Sequence, residues 1–168
     1  MPIISTQRLI LEEISVDDAE FILRLFNDPL CIRHIGDKNL SSIADARRYI
    51  IDSPQRSYIE NGVGLLLMRD KSTMSPLGLC GLLKRDYLKH LDLGYALLDI
   101  YRRQGFASEA AQASLVYAKQ NGVDIVQALV SPQNQRSIEL LLSLGFIMDD
   151  GQRPPNFPDN TLLFSYAI

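Results

Sequence analysis

The stretch Leu97-Leu98-Asp99-Ile100-Tyr101-Arg102-Arg103-Gln104-Gly105-Phe106-Ala107-Ser108-Glu109 joins a run of strand character to a run with helical spacing. Glycine at such a joint lets successive backbone N–H groups converge where the helix dipole is positive, a place suited to phosphate oxygens. Arg102 and Arg103 add positive charge beside it. The GxxxxGK[ST] nucleotide loop and the GxGxxG dinucleotide fingerprint are absent, so this would be a phosphate cradle of another kind. The bare pattern [QR]xxGx[GA] recurs by chance in chains of this size, and its surroundings decide what it means.

Upstream, residues 63–69, 77–85 and 91–98 read as strands joined by a polar link at 70–76 and a short one around Leu88-Lys89-His90, an antiparallel meander. Before it, residues 8–14 form a first strand with Leu9 and Leu11 on one face. Ser15-Val16-Asp17-Asp18 opens a helix by capping and by acids at its positive end, and Asp28-Pro29 ends it. A second helix starts near Ser41 or Ser42 and is stopped by Ser53-Pro54. Downstream come a helix over 106–121, a strand over 125–130, a helix over 134–144, and strands near Phe146 and over 162–166. Ala107, Ala110, Ala111, Ser114 and Ala118 make a stripe of small residues that packs the first of these helices closely on a sheet.

The 168 residues, 46% of them hydrophobic, fit one globular domain spanning 1–168 with a sizeable core. A net charge of −3 argues against nonspecific binding to a polyanion, so no nucleic-acid partner is expected. Cys31 and Cys80 form no CxxC pair and have no nearby His cluster; they read as apolar fillers in a reducing compartment, with no metal site. The stretch Met1-Pro2-Ile3-Ile4-Ser5-Thr6-Gln7-Arg8 lacks a leader's charged start and apolar run, and no segment reaches the length of a membrane span. A cytoplasmic protein with no membrane partner is the expectation, and a homodimer is compatible with the sequence.

Five signals follow in order over almost the whole chain: Arg8-Leu9-Ile10-Leu11 with the Asp17-Asp18-Ala19 helix start; Leu93-Gly94-Tyr95; the stretch from Arg102 to Ala111; Asn134-Gln135-Arg136-Ser137; and Leu144-Gly145-Phe146. In these the chain resembles the GNAT superfamily of acyl-CoA-dependent N-acyltransferases, more narrowly the branch of ribosomal-protein N-terminal (alanine/serine) acetyltransferases. The resemblance implies an α+β fold with a mixed, mostly antiparallel central sheet of about seven strands and about four helices, splayed between its fourth and fifth strands. It implies acetyl-CoA as acyl donor. The loop amides of Arg102, Arg103, Gln104, Gly105, Phe106 and Ala107 would hold the pyrophosphate. The strand around Tyr95, Ala96 and Leu97 would pair with the pantetheine arm, much as an added strand would. Asn134 matches the family asparagine that contacts the pantetheine; the other use of an Asn there is helix capping.

Amide formation from a thioester requires a neutral amine near the carbonyl, a donor for the oxyanion and a proton for the departing thiolate. An α-amino group, with a reference pKa near 8 against about 10 for lysine, asks less of a base. Asp92 in Leu91-Asp92-Leu93-Gly94-Tyr95 stands where the family often has Glu; being one methylene shorter, it points to a water relay, and its other reading is a solvent-facing strand carboxylate. Glu109 in the first helical turn is read as structural. The family's usual phenol, seven residues after the asparagine, is Leu141 here. Ser137, three residues after it, fits the serine proposed as the acid in the ribosomal-protein branch, and it could equally be a polar residue of the first turn.

His34 and His90 have no metal-spaced partners, Tyr49, Tyr58 and Tyr95 fit a groove or a core edge, and Glu12 and Glu13 stand where the branch often has Arg. Residues 153–160 read as a connector that could border the acceptor. The resulting expectation is an acetyl-CoA-dependent N-acetyltransferase acting through a ternary complex on a protein N-terminal amine or a small-molecule amine. Its rival is a noncatalytic acyl-CoA-binding or regulatory module, the reading that Leu141 favours.

Overall fold

The computed structural model describes residues 4–168; residues 1–3, part of the N-terminal stretch read for a leader, lie outside the described residues. Strand β1 (Ile4–Ser5) is followed by β2 (Leu9–Glu13), where alternation buries Leu9 and Leu11 completely. A capping box of Ser15 with Asp17 and Asp18 leads into α1 (Ala19–Phe26). Helix α2 (Pro29–Ile35) follows at once: Asp28 accepts from the N–H groups of Leu30 and Cys31, and Pro29 occupies the first helical turn, where its missing N–H costs nothing. Asp28-Pro29 therefore closes one helix and opens the next, and only its closing part was anticipated.

Helix α3 (Ile43–Ile50) is capped by Ser42. It does not stop at Ser53-Pro54 as expected. The chain passes through one wide π turn, Ile51–Gln55, which carries Pro54 inside it, and continues as α4 (Arg56–Asn61). The wider turn takes up a ring that lacks the N–H and would crowd a regular helix.

Strands β3 (Leu65–Asp70), β4 (Pro76–Leu83) and β5 (Leu91–Leu97) form the expected meander. Helix α5 (Phe106–Gln120) crosses over to β6 (Ile125–Val130); α6 (Gln135–Ser143), β7 (Ile147–Asp149) and β8 (Leu162–Ala167) complete the chain. One eight-stranded sheet results, in the order β1-β2-β3-β4-β5-β6-β8-β7. Among the described residues there are six α-helices, the two beyond the expected count being α2 and α4.

Each sheet face carries its own core. Leu9, Leu11, Met68, Leu93 and Val126 meet α5, whose Ala110, Ala111, Ser114 and Ala118 are all at most 2% exposed, so the small-residue stripe does serve close packing. On the other face Leu67, Leu79 and Leu98 meet Ile22, Leu25, Ala46 and Ile50 of α1 and α3.

All strand pairs are antiparallel except β5 with β6, which the α5 crossover makes parallel. That pair holds only at Leu91↔Val126 and Asp92↔Gln127, after which the strands part. β5 stays paired to β4 and β6 stays paired to β8 along the whole of β6. The backbone edges at 93–97 and 128–130 therefore face each other across a gap, with polar groups turned into it. The fold is the expected mixed α+β one, splayed at the expected place.

Candidate active site

Asp92 stands at the apex of the gap, in the last paired position before the strands separate. Alternation along β5 sends Leu91, Leu93, Tyr95 and Leu97 to the α5 side and Asp92 to the α1–α3 side. Asp92 is 1% exposed, so the solvent-facing reading is overturned. Its Oδ1 accepts from Nε of Arg85 at 2.9 Å. Burial pushes the carboxyl above the ordinary carboxylate range, and the adjacent guanidinium opposes but does not cancel this. Arg85 was not anticipated. The signal for it is the β4–β5 register: Leu83 lies opposite Asp92, which brings the end of β4 within a long side chain's reach. Beside Asp92, Gln127 is 8% exposed, and its Oε1 accepts the N–H of His90 at 3.3 Å. The same face opens into a cleft of about 370 Å³ whose lining includes Leu88, Lys89, Gln127, Arg153, Pro154 and Leu163. Phe157 packs edge-on against Tyr87 at a centroid distance of 6.2 Å, tying the connector, whose Arg153 and Pro154 line the cleft, to the link between β4 and β5.

The turn after β5 has the backbone of an anion cradle. Arg103 at φ 63° and Gly105 at φ 81° are both left-handed, and α5 begins with no side-chain cap on its first N–H groups. Arg102 plays another part. Its N–H donates to the Asp99 carbonyl at 3.1 Å, and its guanidinium reaches Asp28 at 2.7 Å and Asp99 at 3.0 Å.

The loop is strapped from below by Arg8, just ahead of β2. Arg8 donates from Nη1 to the Gln104 carbonyl at 2.8 Å and from Nε to Glu109 at 2.7 Å, and its guanidinium lies 4.4 Å from the centre of the Phe106 ring. Glu109 also accepts from the Thr6 hydroxyl at 2.6 Å and from the Arg8 N–H at 2.8 Å, which bears out its structural reading. Burial alone would raise its carboxyl, but the Thr6 and Arg8 bonds outweigh burial and hold it below the usual range.

Across the gap, Asn134 caps α6 by accepting the Ser137 N–H at 3.2 Å, which realises the capping use. Ser137 Oγ lies 2.6 Å from the Tyr95 hydroxyl, a contact from β5 to the helix that follows β6. Tyr95 therefore lies outside the acceptor cleft and at the core edge, with its hydroxyl engaged by Ser137. Burial pushes its phenol up to about 12, against the bond to Ser137. Leu141 is 1% exposed in the core, where a phenol would have to displace packing.

Glu12 and Tyr58 have structural partners. Glu12 accepts from Arg69, which also bonds Asp18 at 2.7 Å, and Tyr58 bonds the Leu65 carbonyl while accepting the Ile14 N–H at 3.1 Å. His34, on α2, has its Nδ1 buried without a partner, and burial together with Arg33 and Arg102 lowers its basicity. No group of three or more His, Cys, Asp or Glu side chains suited to a metal occurs among the described residues, and no described helix is long and apolar enough to cross a membrane.

Comparison with known proteins agrees with this geometry. The chain is 30% identical over 148 residues to the uncharacterized N-acetyltransferase YoaA of Bacillus subtilis (strain 168), covering 86% of this chain and 82% of that protein. Its fold matches an acetyltransferase from Agrobacterium tumefaciens str. C58 with a TM-score of 0.87 at 20% identity, over 100% of this chain and 95% of that one. It also matches the ribosomal alpha-N-protein acetyltransferase RimL in complex with coenzyme A, with a TM-score of 0.83 at 14% identity over 99% and 98%. These matches do not favour the noncatalytic rival. The profile of the acetyltransferase (GNAT) domain family fits residues 8–147, a span that runs from the Arg8 strap past Asp92, the Gly105 turn and Ser137, and the chain thus belongs to the GNAT acetyltransferases, with acetyl-CoA as its acyl donor.

Proposed function

We propose that this chain transfers the acetyl group of acetyl-CoA to a primary amine by direct attack within a ternary complex, the acceptor being a protein N-terminal amine or a small-molecule amine. One observation carries the reading: a buried carboxylate at the apex of the β5–β6 gap on one sheet face, with a hydroxyl pair on the other. A group lying in the gap can be reached from both faces, by a base on the acceptor side and a hydrogen-bond donor on the other.

The left-handed turn at Arg103 and Gly105 and the uncapped start of α5 fit a diphosphate. We assign that contact to the amides of residues 103–107, with Arg102 as a buttress. The unpaired edge at Tyr95, Ala96 and Leu97 would take the pantetheine amides, and Asn134 would meet the arm while capping α6. Acetyl-CoA supplies the thioester carbonyl. Asp92 removes the amine proton through water, and burial, by raising its proton affinity, brings it closer to the amine and makes it a stronger base than an exposed aspartate. Ser137 donates toward the departing sulfur. Direct attack is supported by the state of the thiols: burial pushes Cys31 up to about 11 and Cys80 up to about 12, so neither is a ready nucleophile for an acyl-enzyme. The 370 Å³ cleft on the Asp92 face is the room for the acceptor.

Thiol release from acetyl-CoA across a panel of N-terminal peptides, polyamines, amino acids and amine antibiotics tests the proposal. Acceptor-dependent release is expected with at least one class. Cofactor binding without turnover on any of them, or acetyl label accumulating on the protein before an acceptor is added, would overturn it.

A further inference from the structure

We propose that Tyr95 is a positioning residue for thiol departure, donating its phenol proton to Ser137 Oγ so that the single hydroxyl proton of Ser137 is directed into the gap between β5 and β6. This rests on the assignment of Ser137 as donor to the sulfur.

The placement is specific. Tyr95 lies on β5, three positions past the last β5–β6 pair, and Ser137 lies in the first turn of α6, the helix that follows β6. Their 2.6 Å contact therefore spans the gap on its α5–α6 side, alongside whatever lies within it. Ser137 is held at two points, its N–H by Asn134 at 3.2 Å and its Oγ by Tyr95. A serine has one proton to give and a phenol has one. If Ser137 gave its proton to Tyr95, none would remain for the sulfur. If Tyr95 gives its own, the serine proton is free, and the second bond of the chain is strengthened by the first. The phenol's other acceptor within reach, the Ser137 carbonyl, is at 3.4 Å and is the weaker choice. Burial keeps the phenol protonated through the working range, so the arrangement does not depend on pH there. Leu141 gives no phenol at the family's usual place, and Tyr95 brings one to Ser137 from β5, across the gap.

The step balances as follows. The amine nitrogen bonds to the acyl carbon, the C–S bond breaks with its electron pair going to sulfur, and the amine proton leaves through water to Asp92. Ser137 stabilises the sulfur anion by a hydrogen bond, and Tyr95 stays neutral.

The test needs no acceptor. The acidity of the CoA thiol is measured in the binary complex by ultraviolet thiolate absorbance, for the wild type, Tyr95→Phe, Ser137→Ala and the double variant. In the wild type the bound thiol is expected to be about tenfold more acidic than free CoA, as a charge-stabilising donor requires. Each single variant should lose that gain while CoA affinity stays within about twofold, and the double variant should lose no more than either. A normal effect of Ser137→Ala with none of Tyr95→Phe would overturn the role of Tyr95 and leave Ser137 in place. Losses that multiply in the double variant would overturn it too, since the two would then act separately. A wild-type thiol no more acidic than free CoA would overturn the Ser137 assignment itself. Should Tyr95→Phe fail to fold, a difluorotyrosine at position 95 keeps the shape and acidifies the phenol. It should increase the thiol's acidity further, and an unchanged thiol would overturn the proposal.

Discussion

The carboxylate of Asp28 meets the guanidinium of Arg102 at 2.7 Å, tying the cap of α2 to the turn that precedes α5. The turn before α5 and the helical wall on the Asp92 face thus share one ion pair, and each holds the other in place. Arg102 carries a second bond to Asp99, so its side chain is fixed before any ligand arrives.

Asp28→Asn isolates that pair, because asparagine still caps a helix but brings no charge. The variant should lose about 1–2 kcal/mol of stability in thermal unfolding. Its KM for acetyl-CoA should rise about threefold, a loss of under 1 kcal/mol. Burial would raise the Asp28 carboxyl, but Arg102 and the Cys31 and Leu30 amides outweigh it and hold it low. The pair's stabilisation is therefore complete above the ordinary aspartate range and fades as pH falls through the lowered value. The stability difference between wild type and Asp28→Asn should shrink in acid; a constant difference would argue against the pair.

Asp92→Asn should lower kcat by about 10²-fold or more, the scale of a lost general base, with little change in KM for acetyl-CoA. The wild-type rate should rise with pH through a value above the ordinary carboxylate range, because the base acts only when ionised and burial favours its neutral form. Arg85→Ala removes the opposing guanidinium and should move that rise to still higher pH. It should also cost about 2 kcal/mol, less than for a fully enclosed pair because the Arg85 side chain is 37% exposed. As a raised carboxyl, Asp92 favours the folded state below its unfolded pKa, and that contribution disappears as pH rises through the folded value.

Gly105→Ala tests the cradle. A Cβ there would adopt φ +81° and sit 3.2 Å from Arg8 Nη2. The left-handed backbone costs a side chain about 1–2 kcal/mol, and the strap must shift to make room. Calorimetry should show CoA binding weakened about tenfold or more. Wild-type affinity in the variant would place the diphosphate elsewhere.

Glu109→Gln keeps the size of the strap's anchor and removes its charge. Glu109 accepts from Arg8 with both carboxylate oxygens, and a Gln amide puts an NH2 that cannot accept in place of one of them, so about 1–2 kcal/mol of stability should go. CoA affinity should fall with kcat nearly unchanged, which separates this supporting role from that of a base; a collapse of kcat at unchanged affinity would reverse the assignment.

Much of the fold is local enough to read from residue order. Alternation at Leu9 and Leu11, the Ser15 cap, the meander and the glycine at the mouth of α5 each act over a few residues, and each was met in the structure. Local signals failed where two readings compete at one place. Asp28-Pro29 both ends and begins a helix, and Pro54 was accommodated by a wide turn instead of ending one.

The sequence by itself determined most of the element types, the splayed sheet by resemblance, and the glycine turn that opens α5, because spacing, caps and backbone freedom are properties of neighbouring residues. Only the tertiary structure decided that Asp92 is buried and paired to Arg85, that Tyr95 meets Ser137, and that Arg8 braces Gln104 and Glu109. Those relationships turn on which distant side chains exclude water from a given group, and exclusion of water is fixed by packing between elements that the chain order alone leaves apart.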